Sequence, residues 1–321
     1  MTVGHQLRGL DGRTPLGFMA ALGAQAAFSD DDAPTLHWET DSGQAIIGGR
    51  SIDELASRVV ESYKKLIESP AVTGDSVRDD LKFETSSDVR EYLGEVQAAG
   101  GLAAAFAAAQ VSEGAKARDG RAKPSALHFT SGQMKFLEVV RAIATGRKKT
   151  GHKTDHTSLS AEVVRSALTS PGKRLTLLRW GEMDGRTHAL GAVSPAEGSE
   201  LRRVKRITNP ALTALALLGM SRFPTWTSDR NRCVTTSFFG RWPHTFVWPL
   251  WERAAGSAAV ASLLAQARPS PDGVTVEHYE AWGVSAIWSA PVHRAGRYLS
   301  FGGATTAWQA AHTSASAPAT P

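Results

Sequence analysis

The chain has 321 residues, of which 42% are hydrophobic, and carries a net charge of +5. This length and composition are sufficient for a substantial core, in one large domain or two smaller ones, and argue against a disordered chain. The single cysteine, Cys233, excludes an internal disulfide and fits a reducing compartment. The apolar stretches are too short and too rich in Ala and Gly to span a bilayer, and no secretion signal is evident, so we expect a cytoplasmic protein with no membrane partner.

The first third of the chain is predicted to be mainly helical. Thr14 and Pro15 form a helix-start pattern that opens an apolar helix through about Phe28. Ser51 and Glu54 match a capping box ahead of an amphipathic helix. The other predicted elements of this third are strands at 36–39, 44–47 and 81–85 and helices at 88–97 and 102–111.

Strands and helices alternate in the rest of the chain without a βαβ rhythm. The predicted helices are at 131–144, 160–168, 210–220 and 258–266. The predicted strands are at 126–129, 175–180, 188–193, 234–239, 246–250, 285–288 and 297–301. We therefore expect an α+β fold of mixed helices and mostly antiparallel strands.

Charge is distributed unevenly along the chain. Residues 1–100 carry 9 basic and 17 acidic side chains, a net −8, which leaves +13 for residues 101–321. This asymmetry predicts an acidic, mainly helical part at 1–112, an exposed loop at 113–124, a basic α+β part at 125–311 and a disordered tail at 312–321. One continuous domain is the alternative. A basic surface is suited to meet a polyanion.

The strongest candidate for such a surface is the segment 202–241, where eight basic residues, seven of them arginine, face only Asp229. Guanidinium groups bind phosphate bidentately, whereas a merely soluble surface would more often mix lysine with glutamate. The predicted phosphate ligands are Arg202, Arg203, Lys205, Arg206, Arg230 and Arg232.

A second basic cluster follows the predicted helix at 131–144. Its cations equally suit the negative end of the helix dipole, so we expect secondary phosphate contacts at most. These cations are Arg147, Lys148, Lys149 and Lys153.

Tryptophans accompany the arginine-rich segment. Trp226 and Trp242 lie beside polar or basic residues and are candidates for base stacking. Trp248 and Trp251 lie in an apolar, proline-containing run, which favours the core.

Signs of catalysis are few. His152, Asp155 and His156 have a spacing that can hold a metal ion on a helix, but Lys153 would oppose a cation and the surrounding residues favour a loop. No phosphate-binding loop, nucleophile elbow or cysteine-pair zinc site is present. We expect no catalytic residue, cofactor or metal. A metal-dependent hydrolase of nucleotides or nucleic acid remains the alternative.

Three short apolar segments resemble a known family: Gly9–Gly12 with Pro15–Gly23, then Phe129–Leu137, then Phe246–Trp251. Together they resemble small subunits or accessory proteins of type I CRISPR effector complexes, particularly the U/G-like subtypes. The resemblance implies a non-catalytic subunit of an RNA-guided antiviral ribonucleoprotein, with guide RNA or target DNA and neighbouring subunits as partners. It transfers no catalytic residue. A scaffold whose basic face binds an acidic protein is a further alternative.

Overall fold

The computed structural model describes residues 4–117, 119–129, 135–146, 158–170, 180, 210–240, 244–295 and 298–310. Helices and antiparallel sheets are mixed along the chain, which confirms the predicted α+β class. The helices are α1 (Pro15–Ala26), α2 (Ile52–Glu68), α3 (Pro70–Thr73), α4 (Ser86–Ala99), α5 (Gly101–Ala108), α6 (Phe136–Thr145), α7 (Ala161–Thr169), α8 (Pro210–Met220), α9 (Ser257–Gln266) and α10 (Gly273–Trp282). The strands are β1 (Gly4–Asp11), β2 (Thr35–Trp38), β3 (Gln44–Gly48), β4 (Thr225–Thr227), β5 (Cys233–Thr235), β6 (Phe238–Phe239), β7 (Thr245–Trp251), β8 (Val284–Ala295), β9 (Tyr298–Phe301) and β10 (Thr305–Gln309).

Two wholly buried helices, α1 and α8, form the centre of the fold. Their backbones meet at two glycines. A Cβ on Gly23 would overlap the carbonyl oxygen of Leu215, and one on Gly219 would overlap that of Met19. Glycine is therefore required at this crossing because any side chain would force the helices apart. The Thr14 hydroxyl accepts the Gly17 amide at 3.1 Å, which confirms the predicted start of α1.

The strands form three sheets. One has the order β1-β3-β2, the second has the order β10-β8-β7-β6 with β9 paired to β8, and β4 and β5 form a separate hairpin. Leu36 of β2 and Ala255 exchange two backbone hydrogen bonds of 2.9 Å, which tie the first sheet to the segment that follows β7.

The tryptophans of β7 lie in the core, as predicted. Trp248 and Trp251 are fully buried, and their ring centroids lie 5.9 and 6.2 Å from that of Phe18 in α1. Their indole N–H groups donate to the carbonyls of Gly12 and Leu36 at 2.7 Å each. The N-terminal helix and the C-terminal strands are therefore packed together.

A single hydrophobic cluster runs from Leu7 to Phe301 and includes residues of both predicted parts. Ion pairs also join these parts: Asp53 binds Arg165 at 2.5 Å, and Asp79 binds Arg141 at 2.8 Å. The charge asymmetry of the sequence is thus partly balanced inside the fold. The predicted tail at 312–321 lies outside the described residues.

Some predicted elements are wrong or incomplete. Residues 81–85 do not form a strand, because Leu81 has a φ of 56°. Residues 126–129 do not form a strand, because Ser125 to His128 form a turn that is closed by a 3.2 Å bond from the His128 amide to the Ser125 carbonyl. The predicted strand at 234–239 is divided into β5 and β6 at Ser237, whose φ is 66°. The sequence patterns missed β1, β4, β10, α3 and α10.

Two predicted strands cannot be compared, since residues 175–179 and 188–193 lie outside the described part. Within that part, no helix combines the length and the apolar character needed to cross a membrane.

Candidate nucleic-acid interface

The structure describes three of the predicted nucleic-acid ligands, Trp226, Arg230 and Arg232, and all three belong to the β4–β5 hairpin. The predicted metal residues His152, Asp155 and His156 lie outside the described residues. So do the other predicted ligands, Arg147, Lys148, Lys149, Lys153, Arg202, Arg203, Lys205, Arg206 and Trp242.

Residues 228–232 connect β4 to β5, and Ser228 and Arg232 pair so that the three residues between them form a tight loop. The Asn231 amide donates to the Ser228 carbonyl at 3.0 Å, as in a type I turn, and Asn231 has a φ of 54°. The Ser228 amide then donates to the Arg232 carbonyl at 2.9 Å, which closes the loop. Asparagine tolerates this left-handed conformation better than most residues. Arg230 is consequently carried in the loop and Arg232 at its base.

Alternate side chains of the hairpin anchor it to the protein body. The Thr225 hydroxyl donates to the Ala108 carbonyl at 2.9 Å, and the Thr227 hydroxyl donates to the Glu113 carbonyl at 2.5 Å. On the other strand, the Thr235 hydroxyl accepts the Ala126 amide at 2.9 Å. Because strand side chains alternate between two faces, Trp226 and its cross-strand partner Val234 belong to the opposite, outer face.

The segment 113–124 folds beside this hairpin. The Ala117 amide donates to the Arg121 carbonyl at 2.8 Å, and the Lys116 amide donates to the Asn231 carbonyl at 2.9 Å. Gly114 and Gly120 have φ values of 84° and 83°, a conformation that side-chain-bearing residues rarely adopt. The segment therefore brings its own cations to the loop of the β4–β5 hairpin.

We use the name basic hairpin surface for the exposed cations and the exposed tryptophan of these two segments: Lys116, Arg121, Trp226, Arg230 and Arg232. The same segments also expose the carboxylates Glu113, Asp119 and Asp229. Trp226 is 49% exposed. Arg121 forms a 3.0 Å ion pair with Glu84. Lys116, Arg230 and Arg232 make no ion pair with any carboxylate that the structure describes. Their charges are thus available to an external anion.

Arg222 has a different role, although it belongs to the same arginine-rich segment. Its side chain is 14% exposed and forms a 3.2 Å ion pair with Asp30. The Ser257 hydroxyl also donates to Asp30, at 2.5 Å, and this bond, followed by the nearby Arg222 charge, lowers the pKa of Asp30. Arg222 is therefore a structural residue, which the local sequence pattern did not reveal.

A small cavity of about 120 Å³ lies next to the hairpin. Burial raises the pKa of the Cys233 thiol to about 11, and burial lowers the pKa of His128 to about 4. Both groups are neutral at pH 7, so the cavity holds no activated thiolate. The cavity is lined by Lys123, Pro124, Ser125, Ala126, His128, Cys233 and His244.

In the described ranges, no three His, Cys, Asp or Glu side chains are grouped so as to hold a metal ion. The residues of the hydrolase alternative, His152, Asp155 and His156, lie outside these ranges.

In comparisons with known proteins, no family model and no curated protein matched this chain. The short apolar segments that carry the resemblance to CRISPR subunits contribute side chains to the core. Phe18 and Trp248 pack together, and Phe129 contacts Phe301 with ring centroids 4.9 Å apart. Core residues report packing and not ligand choice, so a ligand would be recognised by surface residues.

Proposed function

We propose that the protein binds nucleic acid without catalysis, by holding the phosphate backbone on the basic hairpin surface. The observation that carries the proposal is the pair Arg230 and Arg232, which are exposed on an anchored hairpin and have no carboxylate partner in the described part of the chain. Such guanidinium groups keep their donors free for bidentate phosphate binding.

The contrast with other surface cations supports this choice of site. On and near α2, Arg50 binds Glu54 at 2.9 Å, Arg58 binds Glu61 at 3.2 Å and Lys65 binds Glu61 at 2.7 Å. Neighbouring carboxylates there would repel phosphate and compete for the cation. Arg230 and Arg232 are different in that neither forms an ion pair with a carboxylate that the structure describes.

In the proposal, the protein is a subunit of an RNA-guided, CRISPR-type effector complex, and guide RNA or target DNA is the polyanion. This assignment is supported by the resemblance of the three short apolar segments to CRISPR subunits and by the cationic character of the second part of the chain. Arg202, Arg203, Lys205 and Arg206, together with Arg147, Lys148, Lys149 and Lys153, would add phosphate contacts.

The test measures binding of a fluorescent oligonucleotide by anisotropy. Replacing both Arg230 and Arg232 with alanine should raise Kd about tenfold or more at low salt, since each lost phosphate contact costs on the order of 1 kcal/mol. The matched control is Lys64→Ala with Lys65→Ala on α2, which removes the same charge from side chains that are 71% and 70% exposed and should leave Kd nearly unchanged.

An equal loss in both double variants would indicate a general charge effect and reject the site. Failure of the wild-type protein to bind DNA or RNA would reject the function. A stable complex with an acidic protein that survives nuclease treatment, without intrinsic nucleic-acid affinity, would instead support the scaffold alternative.

A further inference from the structure

We infer that Trp226 and Arg232 form a subsite for one unpaired nucleotide, in which the indole stacks on the base and the guanidinium binds an adjacent phosphate. The inference rests on the proposed function and adds to it the strand state of the ligand. It also assigns separate duties to two residues of the basic hairpin surface.

The hairpin register puts the two side chains on one face. Trp226 is paired with Val234, and the bond from the Ser228 amide to the Arg232 carbonyl continues the ladder by one further step. Residues two apart on a strand share a face, so Arg232 lies on the same face as Val234 and diagonally across from Trp226. Diagonal neighbours in a hairpin are roughly 7 Å apart, close to the spacing between a base and a neighbouring phosphate.

Anchoring of the opposite face fixes which side of the hairpin meets a ligand. Thr225, Thr227 and Thr235 hold that face against the body through hydrogen bonds of 2.9, 2.5 and 2.9 Å. Trp226 is consequently presented outward on a supported ribbon. A preformed aromatic platform of this kind loses little conformational entropy when a base stacks on it.

The location of Trp226 distinguishes it from the other exposed apolar residues. Only three large hydrophobic side chains are exposed in the described residues: Trp226 (49%), Val274 (63%) and Trp282 (42%). Val274 and Trp282 belong to α10, which also carries Glu277 and Glu280. The two carboxylates of α10 would repel a phosphate backbone, whereas the loop beside Trp226 carries one carboxylate, Asp229, against the two cations Arg230 and Arg232.

An unpaired strand is the ligand that this arrangement favours. In a duplex both faces of an internal base are covered by neighbouring bases, and only the base edges are open to a protein. An exposed indole needs a free base face, which single strands, loops and ends supply.

The deciding experiment compares two single-stranded oligonucleotides of equal length and charge, one with bases and one made of abasic sites. The wild-type protein should bind the base-containing strand about tenfold more tightly. Trp226→Ala should abolish this preference, and Trp226→Phe should retain part of it. Trp282→Ala, which removes a similarly exposed indole outside the surface, should leave the preference intact. Arg232→Ala should weaken binding of both strands by the same factor.

The outcomes separate the two proposals. Equal binding of both strands by the wild-type protein, or an unchanged preference in Trp226→Ala, would overturn the subsite while leaving phosphate binding standing. Absence of binding to either strand would overturn the proposed function together with the subsite. Circular dichroism of each variant checks folding, and Trp226→Phe provides the comparison if Trp226→Ala does not fold.

Discussion

Arginines from one short segment have opposite roles in this fold. Arg222 is largely buried and forms an ion pair with Asp30, while Arg232 is exposed and makes no ion pair in the described residues. Asp30 lies 192 residues away from Arg222 in the chain. No local pattern could have revealed that pairing, so the sequence overstated the number of arginines available to phosphate. The number of cations in a segment is therefore an upper limit on the number of its side chains that can bind phosphate.

His128 illustrates how a single buried group can link stability to pH. Burial lowers its pKa to about 4 in the folded protein, and its ring stacks on Phe136 with centroids 5.2 Å apart. The unfolded chain, where the pKa is near the usual value of about 6.5, binds more protons between these two pH values. His128 therefore does not reduce the free energy of unfolding above about pH 6.5, and it lowers that free energy progressively as the pH falls from 6.5 toward 4.

We predict that this group contributes a slope of up to about 1.4 kcal/mol per pH unit within that window. Urea unfolding at several pH values measures the slope. Because burial also lowers the pKa of His37 and of His244, the readout is the difference between the wild type and His128→Gln, which should show the shallower slope. Parallel curves would contradict the assignment.

At the scale of the elements, the crossing of α1 and α8 is the most tightly constrained contact. Adding a Cβ at Gly23 would overlap the backbone of Leu215, which cannot move without displacing the whole helix. We predict that Gly23→Ala lowers the free energy of unfolding by roughly 1–3 kcal/mol or more, the usual cost of overpacking a core.

Gly94 in α4 is the matched control, since nothing lies within 4 Å of a Cβ built there. Gly94→Ala should raise the free energy of unfolding by about 0.5–1 kcal/mol through the better helix propensity of alanine. Chemical denaturation measures both variants. Equal effects of the two substitutions would show that the helices separate more easily than the structure indicates.

The elements with strong local signals were predictable from the sequence. The start of α1 at Thr14 and the bounds of α8 (Pro210–Met220) follow from a capping residue, helix-start prolines and a long apolar run. The β4–β5 hairpin was missed because its strands are three residues long and its loop contains no glycine. A signal was present, namely β-branched residues on both sides of Ser228–Asn231.

Trp226, Arg230 and Arg232 were predicted as ligands from composition alone, but their arrangement on one surface depended on this unpredicted hairpin. The partnership with Lys116 could not be predicted either, because it comes from a segment more than 100 residues earlier. Chain topology, and not local pattern, brings those cations together.

At the scale of the whole molecule, the acidic first part and the basic second part of the chain are packed around a common core. Asp53 and Asp79 bind cations from the second part of the chain, and Asp30 and Asp32 are engaged with Arg222 and Arg50. Cations that lie near carboxylates are thus neutralised within the protein. Arg230 and Arg232 of the basic hairpin surface differ in having no ion-pair partner among the described residues, and we propose that phosphate neutralises them.

The dependence of affinity on salt tests this claim most directly, because it counts the phosphates that the protein neutralises. A plot of log K against log salt concentration for a single-stranded oligonucleotide should be linear for the wild type, and its slope should become shallower by about 1.4 in the Arg230→Ala/Arg232→Ala variant, about 0.7 for each lost contact. The Lys64→Ala/Lys65→Ala variant should keep the wild-type slope. Identical slopes for the wild type and the hairpin variant would contradict the proposal that these arginines bind phosphate.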